Sequence, residues 1–544
     1  MDRPPGLAVS VDRPSGGVAG AHPRNPRKVT TSTTVDVPVG DGDDGGRGPG
    51  SAGTGGRWAA RFARWLGRAA LSPCTWLVAA ALTVYGVFTQ NLWDQLQVGA
   101  CDLGIFYQAA HGWAFHGWPY VPIKGYSQLG DHFSPVFVLL APALWIHDSP
   151  TTLMAAQVLL LCLSAVPVYV AVRRAHGALP AVLIESAYLA SFAVQGTVAF
   201  PVHEVMFGAP LIAWALERAL AGRWTWASMV MGATVFVKED MGVTVAAFGL
   251  YALVNGKRRH ALWLIVFGLA MFLICVDLII PSLNPRGFTY SNDYAANLGG
   301  ARGIGADLGY ILTHPLRVLG TLWNNPAKRA DWSHLLAPVG FLALASPMAL
   351  VGLPMMVDRM LSARETQWSW QLYYDMPLLP IVYLAALDGF DRIRRLPLLA
   401  RLRDRLRVRG PWPKRVVTTV LAGAAALGVL SIQPKLQVYG WVRLDRDRAD
   451  PGYLQQVRQV MSRLPSGVAA QATDMLTLPA ASRDTMTVFA DSNTSKGNWA
   501  LIDLDDSGKC GPSTAKTQAR AAQLIAQGWS VVAKEGRIEL LHKP

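Results

Sequence analysis

From residue 74 to residue 432 the sequence is a succession of long apolar runs separated by short clusters of arginine and lysine. In hydrocarbon every backbone N–H and C=O must be satisfied within the segment, so runs of about 20 apolar residues fold as bilayer-spanning helices. The composition agrees: 51% of residues are hydrophobic and 16% charged, where a soluble domain carries about 25% charged residues. Mean hydropathy is +0.25. The formal charge of +14 invites a nucleic-acid reading. The positives sit at the ends of apolar runs, however, as in Arg57, Arg61, Arg64 and Arg68, in Lys257-Arg258-Arg259, and between Arg392 and Arg415. That pattern marks cytoplasmic loops and predicts a lipid bilayer, and no nucleic acid, as the partner.

Charge bias and run length together give a topology. Residues 1–56 are rich in Gly, Pro, Asp, Ser and Thr and cannot bury enough apolar surface to fold, so they read as a disordered cytoplasmic tail. Residues 57–70 alternate arginines with Trp58, Phe62 and Trp65, an interfacial helix. The first span is 74–93, followed by an outer loop, 94–151. Within that loop FSPVFVLLAPALWIH (133–147) is too short to cross and reads as a re-entrant or interfacial helix. Spans follow at 152–172, 179–200 and 205–220. The run 225–255 must be a hairpin with Lys238-Glu239-Asp240 at its outer tip, because both of its ends are basic. Residues 261–281 lead out to a polar outer loop, 282–333. A second hairpin is expected over 334–361, then spans at 371–388 and 416–432. The total is about eleven spans.

The fold class expected is therefore mainly α: a polytopic transmembrane bundle over 57–433, followed by a small extracytoplasmic α/β domain at 434–544. In that tail MTVFA (486–490) and WALIDL (499–504) read as strands, 514–527 as a helix and WSVVAKEGRIELLH (529–542) as a hairpin. The location implied is the plasma membrane, multi-pass, with the N-terminus cytoplasmic. Five cysteines form no CxxC pair, so zinc and redox motifs have no support. Cys74, Cys162 and Cys275 lie in apolar runs. Cys101 and Cys510 share the outer side and could pair.

Four polar clusters fall on that same side: Asp94 with Asp102, Gly130-Asp131-His132, His203-Glu204, and Lys238-Glu239-Asp240. An ionisable group at membrane depth costs about 2.5–3.5 kcal/mol on insertion scales, so such groups are functional candidates by default. Water-exposed loop tips are the competing reading, strongest for Asp94 and Asp131. A carboxylate at an outer cavity can serve as general base, with Asp102, Glu239 and Asp240 as catalytic candidates. Asp131, His132, His203, Glu204, Lys238, Tyr373 and Tyr374 are the substrate-binding candidates. Asp102, His132, His203 and Glu204 could together hold a divalent metal, although no ligand spacing is diagnostic, and no other cofactor is indicated. HEVMF (203–207) places Phe207 where a zinc-protease helix needs histidine. Gly303-x-Gly305 with Gly309 reads as a flexible loop, and Asn493-Thr494-Ser495 fits a glycosylation acceptor on spacing alone. Trp113, Trp118, Tyr120, Tyr126, Trp368, Trp370, Tyr373 and Tyr374 read first as an interfacial aromatic belt, with sugar stacking as the lesser alternative.

Asp102-Leu103-Gly104-Ile105-Phe106, Asp131-His132-Phe133-Ser134-Pro135, Pro201-x-His203-Glu204 and Lys238-Glu239-Asp240 together resemble a bacterial membrane family, domain-of-unknown-function family 2079. The similarity runs over residues 75–390 and again from Val468 to Leu504. The architecture resembles GT-C membrane glycosyltransferases, which use lipid-phosphate-linked sugars. The resemblance implies Asp102 as counterpart of their catalytic acidic residue, although Leu103 follows it where many of them carry an Asp-Glu pair. It implies transfer of a sugar from a polyprenyl-phosphate donor to an envelope glycan, lipid or protein acceptor, with Lys238, Arg286 or Arg302 neutralising the phosphate. Two other readings stay open: a lipid or solute transporter or flippase, and a non-catalytic envelope assembly protein.

Overall fold

The structure is a computed structural model that describes residues 71–200, 202–300, 303–397, 414–432, 449–490, 497–506 and 510–544. The tail expected over 1–56, the interfacial helix over 57–70, most of the arginine-rich stretch before 415 and the Asn493-Thr494-Ser495 triplet lie outside these residues.

The molecule is mainly helical, with a small sheet near its C-terminal end. Its helices are α1 (Pro73–Asp94), α2 (Ile105–His116), α3 (Ala141–Ile146), α4 (Pro150–Leu163), α5 (Ala165–His176), α6 (Ala178–Leu189), α7 (Phe192–Ala199), α8 (Val205–Leu220), α9 (Trp224–Gly232), α10 (Met241–Val254) and α11 (Arg258–Leu273). They continue as α12 (Ile280–Leu283), α13 (Ile304–Thr313), α14 (Pro315–Thr321), α15 (Pro326–Leu336), α16 (Leu353–Leu361), α17 (Leu378–Arg394), α18 (Lys414–Ile432), α19 (Pro451–Met461), α20 (Asp474–Thr477) and α21 (Thr514–Ala526). One apolar core runs through the bundle from Cys74 to Ala386 and takes in Val429.

Among the described residues, three helical stretches are long and apolar enough to cross a membrane on their own: Pro150–His176, Ala178–Ala199 and Arg258–Leu283. That is fewer than the about eleven spans expected from hydropathy. α1 is an unbroken helix of 22 residues, and several other expected crossings, such as 205–220 and the two legs of 225–255, are helices shorter than the about 20 residues a spanning helix needs. The run 225–255 does turn back at Lys238-Glu239-Asp240, as two short legs, α9 and α10. The second expected hairpin does not form two helical legs. Residues 337–351 make three short 3-10 turns, Ala337–Val339, Leu342–Ala345 and Pro347–Val351, and α16 follows. Pro338 and Pro347 remove donors and add the clashes that stop a continuous helix, and Pro354 stands in the first turn of α16, where a proline is tolerated.

The outer loop expected over 282–333 is largely helical from residue 304 onward, in α13, α14 and α15. The glycine pattern expected as a flexible loop starts a helix instead. Gly303 caps α13 with φ 105°, and Gly305 and Gly309 lie inside it. Tyr310 and Ile311 of α13 pack against the apolar core of the bundle, which helps hold the helix although each glycine costs roughly 1 kcal/mol.

Two short strands, β1 (Tyr120–Val121) and β2 (Tyr126–Ser127), pair antiparallel in the loop after α2. The C-terminal sheet contains β3 (Ala469–Ala472), β4 (Thr485–Val488), β5 (Trp499–Asp503), β6 (Ser530–Glu535) and β7 (Ile538–His542), in the order β4-β3-β5-β7-β6. β3 is parallel to β4 and β5, whereas β7 is antiparallel to β5 and β6. Alternating side chains divide the strands between two faces. Leu501 and Leu540 pack with Val457 and Val460 of α19. Ala500, Ile502 and Leu541 pack with Ala521 and Leu524 of α21. The sheet is therefore covered on both sides, an α/β arrangement.

Candidate active site

Three helices begin at one place. α2 follows directly on Asp102-Leu103-Gly104, α8 on His203-Glu204, and α10 on Lys238-Glu239-Asp240. The local reason is the same in the last two cases. The first amides of α8 bond back to the carbonyls of His203 and Glu204, and those of α10 bond back to Lys238, Glu239 and Asp240. Acidic residues are stabilised at such positions by the positive end of the helix dipole. The His203-Glu204 and Lys238-Glu239-Asp240 clusters are thus the lead-in turns of α8 and α10, whereas Asp102 sits in a non-helical turn just before α2, and all three open on a common cavity.

That cavity has a volume of about 850 Å³. Asp102, Asp131, His132, His203, Lys238, Glu239, Asp240, Tyr373 and Tyr374 all line it. Glu204 is fully buried behind His203. Asp94 is exposed, outside the cavity, and accepts a hydrogen bond from Gln90. Of the arginines considered for a phosphate, Arg286 is exposed and outside the lining, and Arg302 lies outside the described residues.

The side chains form two chains of contact. In the first, His203 Nε2 faces Asp102 Oδ1 at 3.8 Å, and its Nδ1 contacts Glu204. Lys238 Nζ lies 3.4 Å from Glu204 Oε1 and 3.6 Å from Asp240 Oδ2. The His203 ring stacks on Tyr373 with centroids 3.7 Å apart. Buried Tyr373 and Trp368 therefore do not belong to a lipid-facing belt, while Trp118 and Tyr120 are exposed as a belt requires. In the second chain, His132 Nδ1 donates to Glu239 Oε1 at 2.8 Å and the Phe133 amide donates to Glu239 Oε2 at 3.0 Å. His132 stacks on Tyr290 at 4.4 Å. Asp131 takes the Tyr290 hydroxyl at 2.9 Å and the Lys124 ammonium at 2.9 Å.

In the loop carrying Asp131 and His132, electrostatics outweigh burial. Burial alone would raise the Asp131 carboxyl, but the charges of His132 and Lys124 and the hydrogen bonds from Lys124 and Tyr290 hold it below its usual range. Burial would lower His132, yet the Glu239 carboxylate raises it above the ordinary histidine value. Burial, then Asp131, pushes the Tyr126 hydroxyl up to about 12.

The four residues weighed as metal ligands do not converge. Asp102 and His203 face each other, but Glu204 is engaged by His203 and Lys238, and His132 by Glu239. An ammonium, Lys238, sits between the acidic groups instead. Among the described residues, the group whose donor atoms all gather within 4.8 Å is Cys101, Asp474 and Cys510, and its two sulfurs are bonded to each other with a Cα–Cα distance of 5.5 Å. Cys74, Cys162 and Cys275 are free and buried.

Sequence reasoning missed several residues of the lining: Lys124, Tyr290, Tyr294, Asp307, Asp358 and Arg364. Asp358 carried a legible signal, an acid within the apolar run LPMMVDRML. Lys124 and the tyrosines carried none, because loop residues acquire partners only through tertiary packing. Arg359 also reaches the lining, but its guanidinium is committed to Asp331 at 2.8 Å and to Asp375.

ArnT from Cupriavidus metallidurans bound to undecaprenyl phosphate aligns with TM-score 0.51 and 12% identity, covering 86% of this chain and 97% of that one. The apo form of the same protein gives TM-score 0.50 and 13% identity, with 86% and 97% covered. The Archaeoglobus fulgidus oligosaccharyltransferase in complex with Zn and sulfate gives 0.39 and 12%, covering 79% and 68%. The fold is accordingly similar to that of the Cupriavidus metallidurans ArnT. No curated protein matches by sequence. A family model described as a predicted membrane protein, domain of unknown function 2079, matches residues 92–540, and the chain belongs to that family.

Proposed function

We propose that this protein is a membrane glycosyltransferase that moves a sugar from a polyprenyl-phosphate donor to a hydroxyl of an envelope glycan, lipid or protein, working at the non-cytoplasmic face of the plasma membrane. The observation that carries the reading is the convergence of Asp102, His203, Lys238 and Glu239 on one cavity at the starts of three helices, in a GT-C-like fold. Helix N-termini favour anions such as a phosphate. The ArnT structure that aligns over most of both chains is a complex with undecaprenyl phosphate, which supports a lipid-phosphate donor. The cavity wall also contains Phe272, Phe288, Leu298 and Leu308, suited to the first isoprene units. Leu312, Leu316 and Leu319 stay exposed beyond Leu308, suited to a bilayer surface.

In the reaction, the acceptor oxygen forms a bond to the anomeric carbon as its proton passes to Asp102. The bond from that carbon to the phosphate oxygen breaks, and its electron pair leaves on the polyprenyl phosphate. Lys238 neutralises the charge that develops there. Glu204 and Asp102 take the two nitrogens of the His203 ring, and Tyr373 stacks on its face. No step needs a metal ion, since Lys238 supplies the fixed positive charge.

The test is an assay of purified protein in nanodiscs with a panel of polyprenyl-phosphate sugars, with and without EDTA. Transfer is expected in both conditions, with a loss of about 10²–10⁴-fold in Asp102→Asn at unchanged folding. Full activity in Asp102→Asn removes Asp102 from the mechanism, and inhibition by EDTA reversed by a divalent ion overturns the role given to Lys238.

A further inference from the structure

Asp102 has φ 60° and ψ −70°, close to the rare, strained form of the γ-turn. A non-glycine residue held in such a region costs about 1–3 kcal/mol and persists only when its surroundings over-determine it. The sequence around it has no element that would do so. The residues before it are extended or irregular, with Gly99 at φ −109° and ψ −178° and Cys101 at φ −59° and ψ 133°.

The constraint comes from the C-terminal domain. Asp474, 2% exposed at the start of α20, points its carboxylate at this turn. Its Oδ1 accepts from the Ala100 amide at 2.6 Å and from the Cys101 amide at 3.4 Å. Its Oδ2 accepts from the Cys510 amide at 3.2 Å. The same carboxylate thus grips both sides of the Cys101–Cys510 disulfide, whose half-cystines also line the cavity. Close approach is part of the design: a Cβ on Gly99 would stand 2.5 Å from Asp474 Oδ1. The rest of the contact is fixed independently. Gln108 of α2 donates to the Met486 carbonyl of β4 at 2.7 Å, and a Cβ on Gly104 would meet Leu478 of the C-terminal domain.

We propose that Asp474 is a positioning residue for the transfer reaction. Together with the Cys101–Cys510 bond it holds the backbone of residues 99–101 so that Asp102 keeps its strained conformation and presents its carboxylate to His203 and the cavity. The C-terminal domain is then a working part of the active site. The proposal rests on the reading of Asp102 as the base. Without Asp474 the Ala100, Cys101 and Cys510 amides lose a charged acceptor in a buried place, and the turn relaxes to an unstrained φ.

Two measurements on full-length protein in nanodiscs test this, and the first does not depend on activity. Hydrogen exchange of peptides covering 97–104 is expected to rise in Asp474→Ala, and by less in Asp474→Asn, which keeps one acceptor oxygen. Peptides from α4 to α6 should be unchanged. Exchange over 97–104 equal to wild type in both variants overturns the proposal. The second is a double-mutant cycle on transfer. Asp474→Ala is expected to lower kcat roughly 10–100-fold, the scale of a misplaced catalytic group, with little change in donor KM. The same substitution should have no further effect in an Asp102→Asn background. An equal loss in both backgrounds overturns it, because a merely structural role would act in both. Should Asp474→Ala fail to fold, Asp474→Asn and reduction of the wild-type disulfide carry the same comparisons. If the wild type transfers no sugar, the function proposed above has failed while the exchange result still decides the positioning role.

Discussion

His132 and Glu239 stand 107 positions apart in the chain, and their meeting is a pairing that only the folded bundle provides. The histidine is raised above its ordinary value of 6.5 by that carboxylate, against the effect of burial and of nearby Lys238. A group whose folded value exceeds its unfolded value contributes stability that is complete below the unfolded value and fades as pH rises through the folded one. The contribution of His132 is therefore full below its ordinary value and falls away at higher pH. Compared with His132→Gln, the wild type should show its largest advantage in unfolding midpoint below the ordinary histidine value of 6.5, shrinking as pH rises above that value. A midpoint difference that grows with pH would show that His132 is neutral in the fold. At this scale the sequence was informative about residue types. Charges set in apolar runs, Lys238-Glu239-Asp240 and His203-Glu204, were recognisable because water alone could not explain them. Lys124 and Tyr290 were not, since a loop lysine and a loop tyrosine are ordinary until Asp131 is found between them.

Among the elements, α9 and α10 hold the Lys-Glu-Asp tip, and α10 is seated by close contact with α11. Gly242 and Gly268 face each other there: a Cβ on Gly242 would lie 2.5 Å from the Gly268 carbonyl oxygen. Helix pairs in membranes gain affinity from such small-residue contacts, which let backbones approach. Gly268→Leu should push α10 away from α11, lowering stability by about 1–3 kcal/mol, the usual cost of overpacking. Because Gly242 is the second residue of α10, the displacement reaches Glu239 and Asp240, so transfer should fall more than for a bulky residue at the exposed Leu262. Equal loss at both sites would separate the helix contact from the cavity. Hydropathy could place this hairpin, since its two basic ends fixed the direction of the turn. It could not see the helices α13 to α15 within a stretch that reads as polar loop, because their apolar faces are narrow and α13 contains two glycines. Nor could it see that 337–351 breaks into 3-10 turns, where Pro338 and Pro347 act jointly and not one at a time.

The whole molecule is joined across its length by the bond between Cys101 and Cys510, 409 positions apart. Five cysteines allow many pairings, so sequence alone left this one open, and only the packing of the C-terminal sheet against the turn before α2 selects it. The bond has a topological consequence. Cys101 follows the first apolar helix and Cys510 lies in the terminal domain, so both must be on one side of the membrane, and a stable disulfide belongs to the oxidising side. Lys257, on the turn between α10 and α11, should face the opposite, reducing side, where basic residues accumulate. Lys257 and Glu535 are both exposed, so each can be replaced by cysteine without disturbing a core. A membrane-impermeant maleimide should label Glu535→Cys in intact cells and Lys257→Cys only after permeabilisation, while Cys101 and Cys510 react only after reduction. Labelling of both introduced cysteines from the same side would break the arrangement, because α10 and the terminal domain would then no longer bracket the bilayer. The cavity that Asp102 and Glu239 share would in that case open where no lipid-linked donor from the outer leaflet could enter it.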